Sequence, residues 1–343
     1  MKQMIKTEII LLTNNIVLPF QDPQKEKKFD FVELNKLFAT QSLAEHGLGF
    51  LINIYEQKDP NDEWSAELLK KIIFDMGSSN HTYLHNLDLR GYSIYDATEI
   101  VISHWHYDHT GAFYEILERI EEEIPVICHE STKFERFFKR TKDVKNSDLE
   151  GKTREEILPL LSTSKIVNQC AIDLERVKNL KGNIIYTKES YELLKKNGLR
   201  VVVSGEIPRM HEEEKFSNFY SLQGKGLKED NILDDKCLIF EYDKNVVLLN
   251  GCCHSGIMNT LDYVKGLVNK PISHIIGGFH MASATENRIQ KTLDYLKSFQ
   301  EYDETLYLFP IHCTGEKFIN ELNKANIPKI EVFNPSVGTV FNF

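Results

Sequence analysis

Short β-branched runs alternating with amphipathic helical patterns predict an α/β fold, in which sheets carry helices on their outer faces. Two observations carry the prediction: the strand-then-helix cadence recurs in both halves of the chain, and 343 residues with 41% hydrophobic content suffice for a large core. In the first half LGFLINIY near Gly49, KKIIFDMG near Asp75 and TEIVIS before His104 read as strands. TGAFYEILERIEEE from Thr110 reads as an amphipathic helix, and PVICHE around Val126 closes the unit. In the second half CLIFEY and VVLLNG flank the turn-forming group Asp243 to Asn245 as a hairpin. SGIMNTLDYVKGLV then reads as a helix, HIIGG as a strand, Glu286 to Phe299 as a helix, LYLFPIH as a strand and Glu316 to Ala325 as a helix.

The Met1 to Phe20 segment reads as a strand and not as a signal peptide, because Thr13, Asn14 and Asn15 interrupt its short IILL run. Between about Ser131 and Asp235 the texture changes to charged segments with short apolar runs. We expect a mostly helical insertion in a single domain spanning 1–343, with IIYT near Ile185 and RVVVSG near Val202 still belonging to the main sheets.

Lys and Arg total 41 against 51 Asp and Glu, a formal charge of -10, and no basic stripe stands out against it. Lys133 to Lys145, the most basic stretch, is broken by Glu135 and Asp143 and reads as a solvated helix face. Nucleic acid is not expected as a partner. No run approaches the roughly 18 to 20 apolar residues that span a bilayer, so no membrane partner is expected. The six cysteines lack CxxC spacing and read as reduced thiols of a cytoplasmic protein.

The strongest chemical signal is SHWHYDHTG, where His104, His106, Asp108 and His109 follow a strand ending near Ser103. Residues two apart in extended backbone point the same way, so His104 and His106 can close on one ion while the turning loop directs Asp108 and His109 to another. Neutral imidazole and carboxylate suit zinc, and also iron or manganese. Three further histidines each sit just after a predicted strand: His254 in NGCCHSG, His280 in GGFHM and His312 in PIHCTG.

The Ser103 to Gly111 segment, preceded by IIFDMGS with Asp75, resembles the signature loop of the metallo-β-lactamase superfamily. The resemblance implies an αββα sandwich holding one or two divalent ions per chain at the sheet edges, with zinc first and iron, manganese or magnesium as alternatives. By order along the chain, His254 would join His104 and His106, while His312 would join Asp108 and His109. Where most relatives carry a bridging Asp, this chain has Cys252 and Cys253, so Cys252, His280 or solvent alone would bridge. Asp75 is expected to orient a ligand histidine.

A narrower set of motifs, EHGLGF, GEIPR, GCCHSG, GGFH and HCTG, is similar to an archaeal and bacterial subgroup of that superfamily. The subgroup includes the 7,8-dihydropterin-6-methyl-4-(β-D-ribofuranosyl)aminobenzene 5′-phosphate synthases beside many metal-dependent hydrolases. The expected function is hydrolysis of a small phosphorylated substrate by a metal-activated water, with Asp108 and His280 in catalytic roles. The alternatives are a synthase-like transferase releasing pyrophosphate from a pterin diphosphate, and a noncatalytic metal-dependent ligand-binding protein. His46, Glu206 and Arg209 are candidate substrate contacts, since Arg can hold phosphate bidentately and His or Glu can move protons.

Overall fold

The computed structural model describes residues 4–19, 21, 28–34, 40–59, 65–216, 218–299 and 304–343. In chain order, the first strands are β1 (Met4–Thr13), β2 (Val32–Glu33), β3 (Gly49–Gln57), β4 (Ala66–Met76), β5 (Glu99–Val101) and β6 (Ile124–Cys128). Residues 1–3 and 20 of the expected opening segment lie outside the described residues. Next come β7 (Arg136–Lys139), β8 (Ile166–Gln169), β9 (Gly182–Tyr186), β10 (Tyr191–Lys196), β11 (Leu199–Val203), β12 (Phe219–Gln223) and β13 (Gly226–Glu229). The chain continues with β14 (Cys237–Glu241), β15 (Val246–Asn250), β16 (Ile272–Gly277), β17 (Leu306–Pro310), β18 (Ile330–Val332) and β19 (Val340–Asn342).

Among the described residues these strands form three sheets. One runs β2-β19-β1-β3-β4-β5-β6-β9, the second β10-β11-β14-β15-β16-β17-β18, and the third, smaller one β13-β12-β7-β8. The two large sheets face each other across one apolar layer: Ile9, Phe50, Ile52 and Phe74 from the first meet Val201, Leu238, Phe240 and Leu249 from the second. Strands buried on both faces read as near-continuous apolar runs, which is the pattern of LINIY and VVLL.

Helices cover the outer faces. Asn80–Leu89 and Phe113–Arg119 pack Tyr83, Leu87, Phe113 and Leu117 on the first sheet. Ile257–Leu267, Glu286–Phe299 and Glu316–Ala325 bury Leu261, Leu293 and Phe318 against the second. The result is an αββα sandwich. The helix expected to run on from Thr110 is instead two short pieces, Tyr107–Thr110 and Phe113–Arg119, because the loop carrying the histidines turns through Gly111 and Ala112.

The insertion corrects the expectation of a mostly helical segment. Its short helices, Leu158–Ser162 and Leu174–Asn179, are outnumbered by the four strands of the third sheet. Phe137, Ile166, Tyr220 and Leu227 form a small separate core there. These strands run only four or five residues, too short for a local pattern to separate them from a solvated helix face in a charge-rich stretch. Arg136, expected on such a face, is almost fully buried. IIYT and RVVVSG do join the large sheets, as β9 and β11.

Candidate metal centre

The ends of β4, β5, β15, β16 and β17 lie along one edge of the sandwich, and each delivers polar side chains to a common site. Four non-glycine residues there hold left-handed backbone: Asp75, Cys253, His280 and His312, with φ between 49° and 60°. Such conformations are concentrated where surrounding structure over-determines them, commonly at functional sites.

Two groups of donor atoms result. In the first, the rings of His104, His106 and His254 pack with centroids 4.5–4.9 Å apart, and His104 Nε2 lies 3.2 Å from His254 Nε2. Burial holds the pKa of His104 and His254 well below the usual imidazole range and that of His106 at about 3, reinforced by neighbouring imidazoles or Arg136. The rings are therefore neutral, with lone pairs available. In the second group, a carboxylate oxygen of Asp108, ring nitrogens of His109 and His312 and the sulfur of Cys252 all lie within 4.8 Å of one another. His109 Nε2 is 3.2 Å from Cys252 Sγ, and His312 Nε2 is 3.5 Å from Asp108 Oδ2.

Asp75 organises both groups from below. Its Oδ1 accepts from the Ser103 amide at 2.8 Å, and its Oδ2 accepts from Ser103 Oγ and from His109 Nδ1, each at 2.6 Å. Ser103 Oγ in turn lies 2.9 Å from His104 Nδ1. With Nδ1 engaged by the carboxylate, His109 presents Nε2 to the second group. Burial opposes a charge on His109, but Asp75 and Asp108 outweigh it and raise its pKa to about 9. Asp108 is likewise penalised by burial, yet His109 and the rings of His312 and His46 hold its carboxyl well below the ordinary range.

These donors fit divalent cations. The nitrogen His106 Nε2 is buried and lacks a hydrogen-bond partner, an expensive arrangement in an interior without a cation to receive the lone pair. His104, His106 and His254 would hold one ion, and Asp108, His109 and His312 with Cys252 the other, a nitrogen, oxygen and sulfur set that suits zinc and other first-row metals.

The groups open onto a cavity of about 800 Å³. His46 lies at its rim, with Nε2 3.3 Å from Asp108 Oδ2 and Nδ1 3.3 Å from Asn15. The neighbouring Glu45 accepts from the amides of Ser78 and Ser79, just ahead of helix Asn80–Leu89. His280 also lines the cavity, its ring 4.2 Å from that of His254. The insertion supplies the opposite wall through Phe138, Arg140, Val167 and Phe219, and the Phe219 ring stacks on His106 at 4.9 Å.

Glu206 and Arg209 stand elsewhere, lining a different hollow. Glu206 pairs with His129 Nε2 at 2.9 Å. The guanidinium of Arg209 is committed to the carbonyls of His254, Asn231 and Ile232, so it braces the loop that carries His254 and has no fork free for phosphate.

Several supporting residues gave no recognisable sequence signal. Asp234 accepts from the Trp105 amide at 2.8 Å and from Arg136 at 2.7 Å, while Arg136 also donates to the Trp105 carbonyl. Together they tie the His104–His109 loop to the insertion. Asp235 accepts from the Ser255 amide at 2.6 Å beside His254. Cys313, next to His312, belongs with Cys252 and His280 in a third cluster; its position after a strand, shared with His254 and His312, was the available clue.

Comparison with known proteins agrees with this architecture. A model of the metallo-β-lactamase superfamily matches residues 69–167, the stretch containing Asp75 and the histidine loop. A crystallised metal-dependent hydrolase of the β-lactamase superfamily superposes with a TM-score of 0.65 over 98% of both chains at 16% identity. The 69–167 stretch is thus similar to the metallo-β-lactamase superfamily, and the whole chain shares the fold of that crystallised hydrolase. Among sequence relatives, an uncharacterised protein of Methanocaldococcus jannaschii is 28% identical over 82% of this chain and 89% of its own length. The 7,8-dihydropterin-6-methyl-4-(β-D-ribofuranosyl)-aminobenzene-5′-phosphate synthase of the same organism is 27% identical, covering 85% of this chain and 87% of its own. Among the described residues, no helix is long and apolar enough to cross a membrane.

Proposed function

We propose that this protein is a divalent-metal-dependent hydrolase of small phosphorylated molecules. The observation that carries the reading is the pair of adjoining donor groups opening onto one cavity. Divalent ions held there would supply Lewis acidity toward a phosphoryl oxygen and a lowered pKa for coordinated water. Neutral His104, His106 and His254 present lone pairs without the charge repulsion that protonated rings would bring. Asp108, hydrogen-bonding distance from His46 and near His312, orients a nucleophilic water through its carboxylate. His46 Nε2, half exposed at the rim, carries a proton between Asp108 and a departing oxygen. His280 lines the cavity and contacts substrate, and Arg140 brings a cation to the rim for an anionic group.

A second reading, transfer with loss of pyrophosphate from a pterin diphosphate, is favoured by the named synthase among the relatives and by the aromatic wall of Tyr107, Phe138 and Phe219. Such a wall suits a planar ring and keeps water from a reactive carbon. One experiment separates the readings. Zinc- or manganese-loaded protein is incubated with a pterin diphosphate, with and without the aromatic ribosyl phosphate acceptor, and with a panel of phosphate esters. Phosphate-ester turnover, or pyrophosphate release independent of acceptor, supports hydrolysis; release only with acceptor supports transfer. Absence of turnover in every arm with fully loaded protein overturns both.

A further inference from the structure

The second donor group contains a sulfur, and another sulfur sits beside it. Cys252 follows β15 and Cys313 follows β17, with β16 between them in the sheet. Adjacent strands lie about 4.8 Å apart, so the two loops meet only if the end of the middle strand leaves room. It does: β16 runs into Gly277 and Gly278. A Cβ on Gly278 would stand 2.6 Å from Cys313 Sγ and 3.2 Å from Cys252 Cα. Cys313 Sγ donates to the Cys252 carbonyl at 3.2 Å, and the two sulfurs lie within 4.8 Å of each other.

Access differs between the two. Cys252 is 3% exposed, whereas Cys313 is partly open and lines the cavity with it. Cys128, Cys237 and Cys253 are buried, and Cys170 is exposed on its own loop. A disulfide needs a sulfur separation near 2 Å, so the pair must close by about 2–3 Å at most, within reach of side-chain rotation.

We propose that Cys252 and Cys313 form a reversible thiol pair that closes to a disulfide under a peroxide oxidant. The Cys313 sulfur attacks the peroxide O–O bond, forming a sulfenic acid and releasing one water. The Cys252 sulfur then displaces the sulfenic oxygen as a second water and forms the S–S bond. Two thiols and one hydrogen peroxide become one disulfide and two waters, with two electrons passing from sulfur to peroxide. The closed form takes away the free sulfur that faces His109 Nε2 at 3.2 Å, so it weakens the second donor group. This coupling rests on the metal reading above; the disulfide does not.

The test treats full-length protein, stripped with chelator or loaded with cobalt, with hydrogen peroxide. In stripped protein we expect two of the six thiols to disappear on titration after denaturation, and non-reducing peptide mapping to link Cys252 to Cys313. Dithiothreitol restores both thiols, and either Cys252→Ser or Cys313→Ser abolishes the link. Bound cobalt slows closure, and the oxidised protein loses at least tenfold in affinity for its weaker cobalt equivalent in chelator competition. Retention of all six thiols, sulfinic acid at Cys313 without a linked peptide, or cross-links through Cys170 alone overturns the thiol pair. A linked peptide with unchanged cobalt affinity overturns the coupling. Reduced protein that takes up no cobalt counts against the metal reading, and the linked peptide then decides the disulfide alone.

Discussion

Replacing Asp75 by Asn changes one atom in a carboxylate that accepts three hydrogen bonds, and the consequences follow from counting acceptors. Asn tolerates left-handed backbone, so the φ of 54° at this position is not the difficulty. If the amide oxygen takes the Oδ2 position, it keeps Ser103 Oγ and His109 Nδ1, and the NH2 then confronts the Ser103 amide, donor against donor. If it flips, the NH2 faces His109 Nδ1 and drives the ring toward the tautomer with a proton on Nε2, which removes the lone pair from the second group. Either outcome loses at least one charge-assisted bond in a fully buried site, roughly 1.5–3 kcal/mol of stability. Removing a carboxylate behind a ligand imidazole also costs about 10–100-fold in metal affinity. Urea denaturation of stripped protein reads the first effect, and chelator competition with cobalt on folded protein reads the second. Asp75→Asn protein with wild-type cobalt affinity would refute the reasoning, whatever its stability.

Three other outcomes are expected. His254→Ala takes away a nitrogen from the first group, so elemental analysis after desalting should show a loss of about one ion per chain; unchanged content counts against that group. Gly251→Ala would set a Cβ 2.3 Å from Ser103 Oγ, and we expect a destabilisation of about 1–3 kcal/mol in urea melts, because this serine is pinned by Asp75 and cannot retreat. His274, remote from the site, sits among Phe31, Tyr307 and Phe343 with its pKa lowered to about 3 by burial. Its neutral form is favoured by folding, so its contribution is intact above the unfolded pKa near 6.5 and is lost as pH falls from there toward 3. Wild type should lose about 2 kcal/mol more than His274→Phe between pH 6.5 and pH 5, and parallel pH profiles would dismiss the assignment.

Much of the sandwich was legible because its strands and helices bury strong apolar patterns of sufficient length. Glu286–Phe299 and Glu316–Ala325 coincide with the sequence reading, since each has one apolar stripe and a polar remainder. The third sheet was not legible. Its strands are four or five residues long, and Phe138 pairs with Phe219, some eighty positions later, so no local pattern announces the partner. At the site, His104, His106, Asp108 and His109 stand out because they crowd one loop. Their supports do not: Asp234 reaches Trp105 across 129 positions and Cys313 reaches Cys252 across 61, distances over which spacing carries no information. Arg209 misled for a related reason, because a guanidinium that satisfies carbonyls looks in sequence like one that awaits an anion.

The third sheet is woven from two pieces of chain, β7 with β8 and β12 with β13, and β9 to β11 leave for the large sheets in between. Its halves pair across some eighty positions of intervening chain, so the cavity wall rests on long-range contacts whose closure costs chain entropy. A cut or deletion in either piece would strand the other, leaving Phe219 without the neighbour that holds it over His106. The roof over the histidines is thus a product of the finished sandwich, and trimming it piecemeal would yield an open floor in place of a smaller chamber.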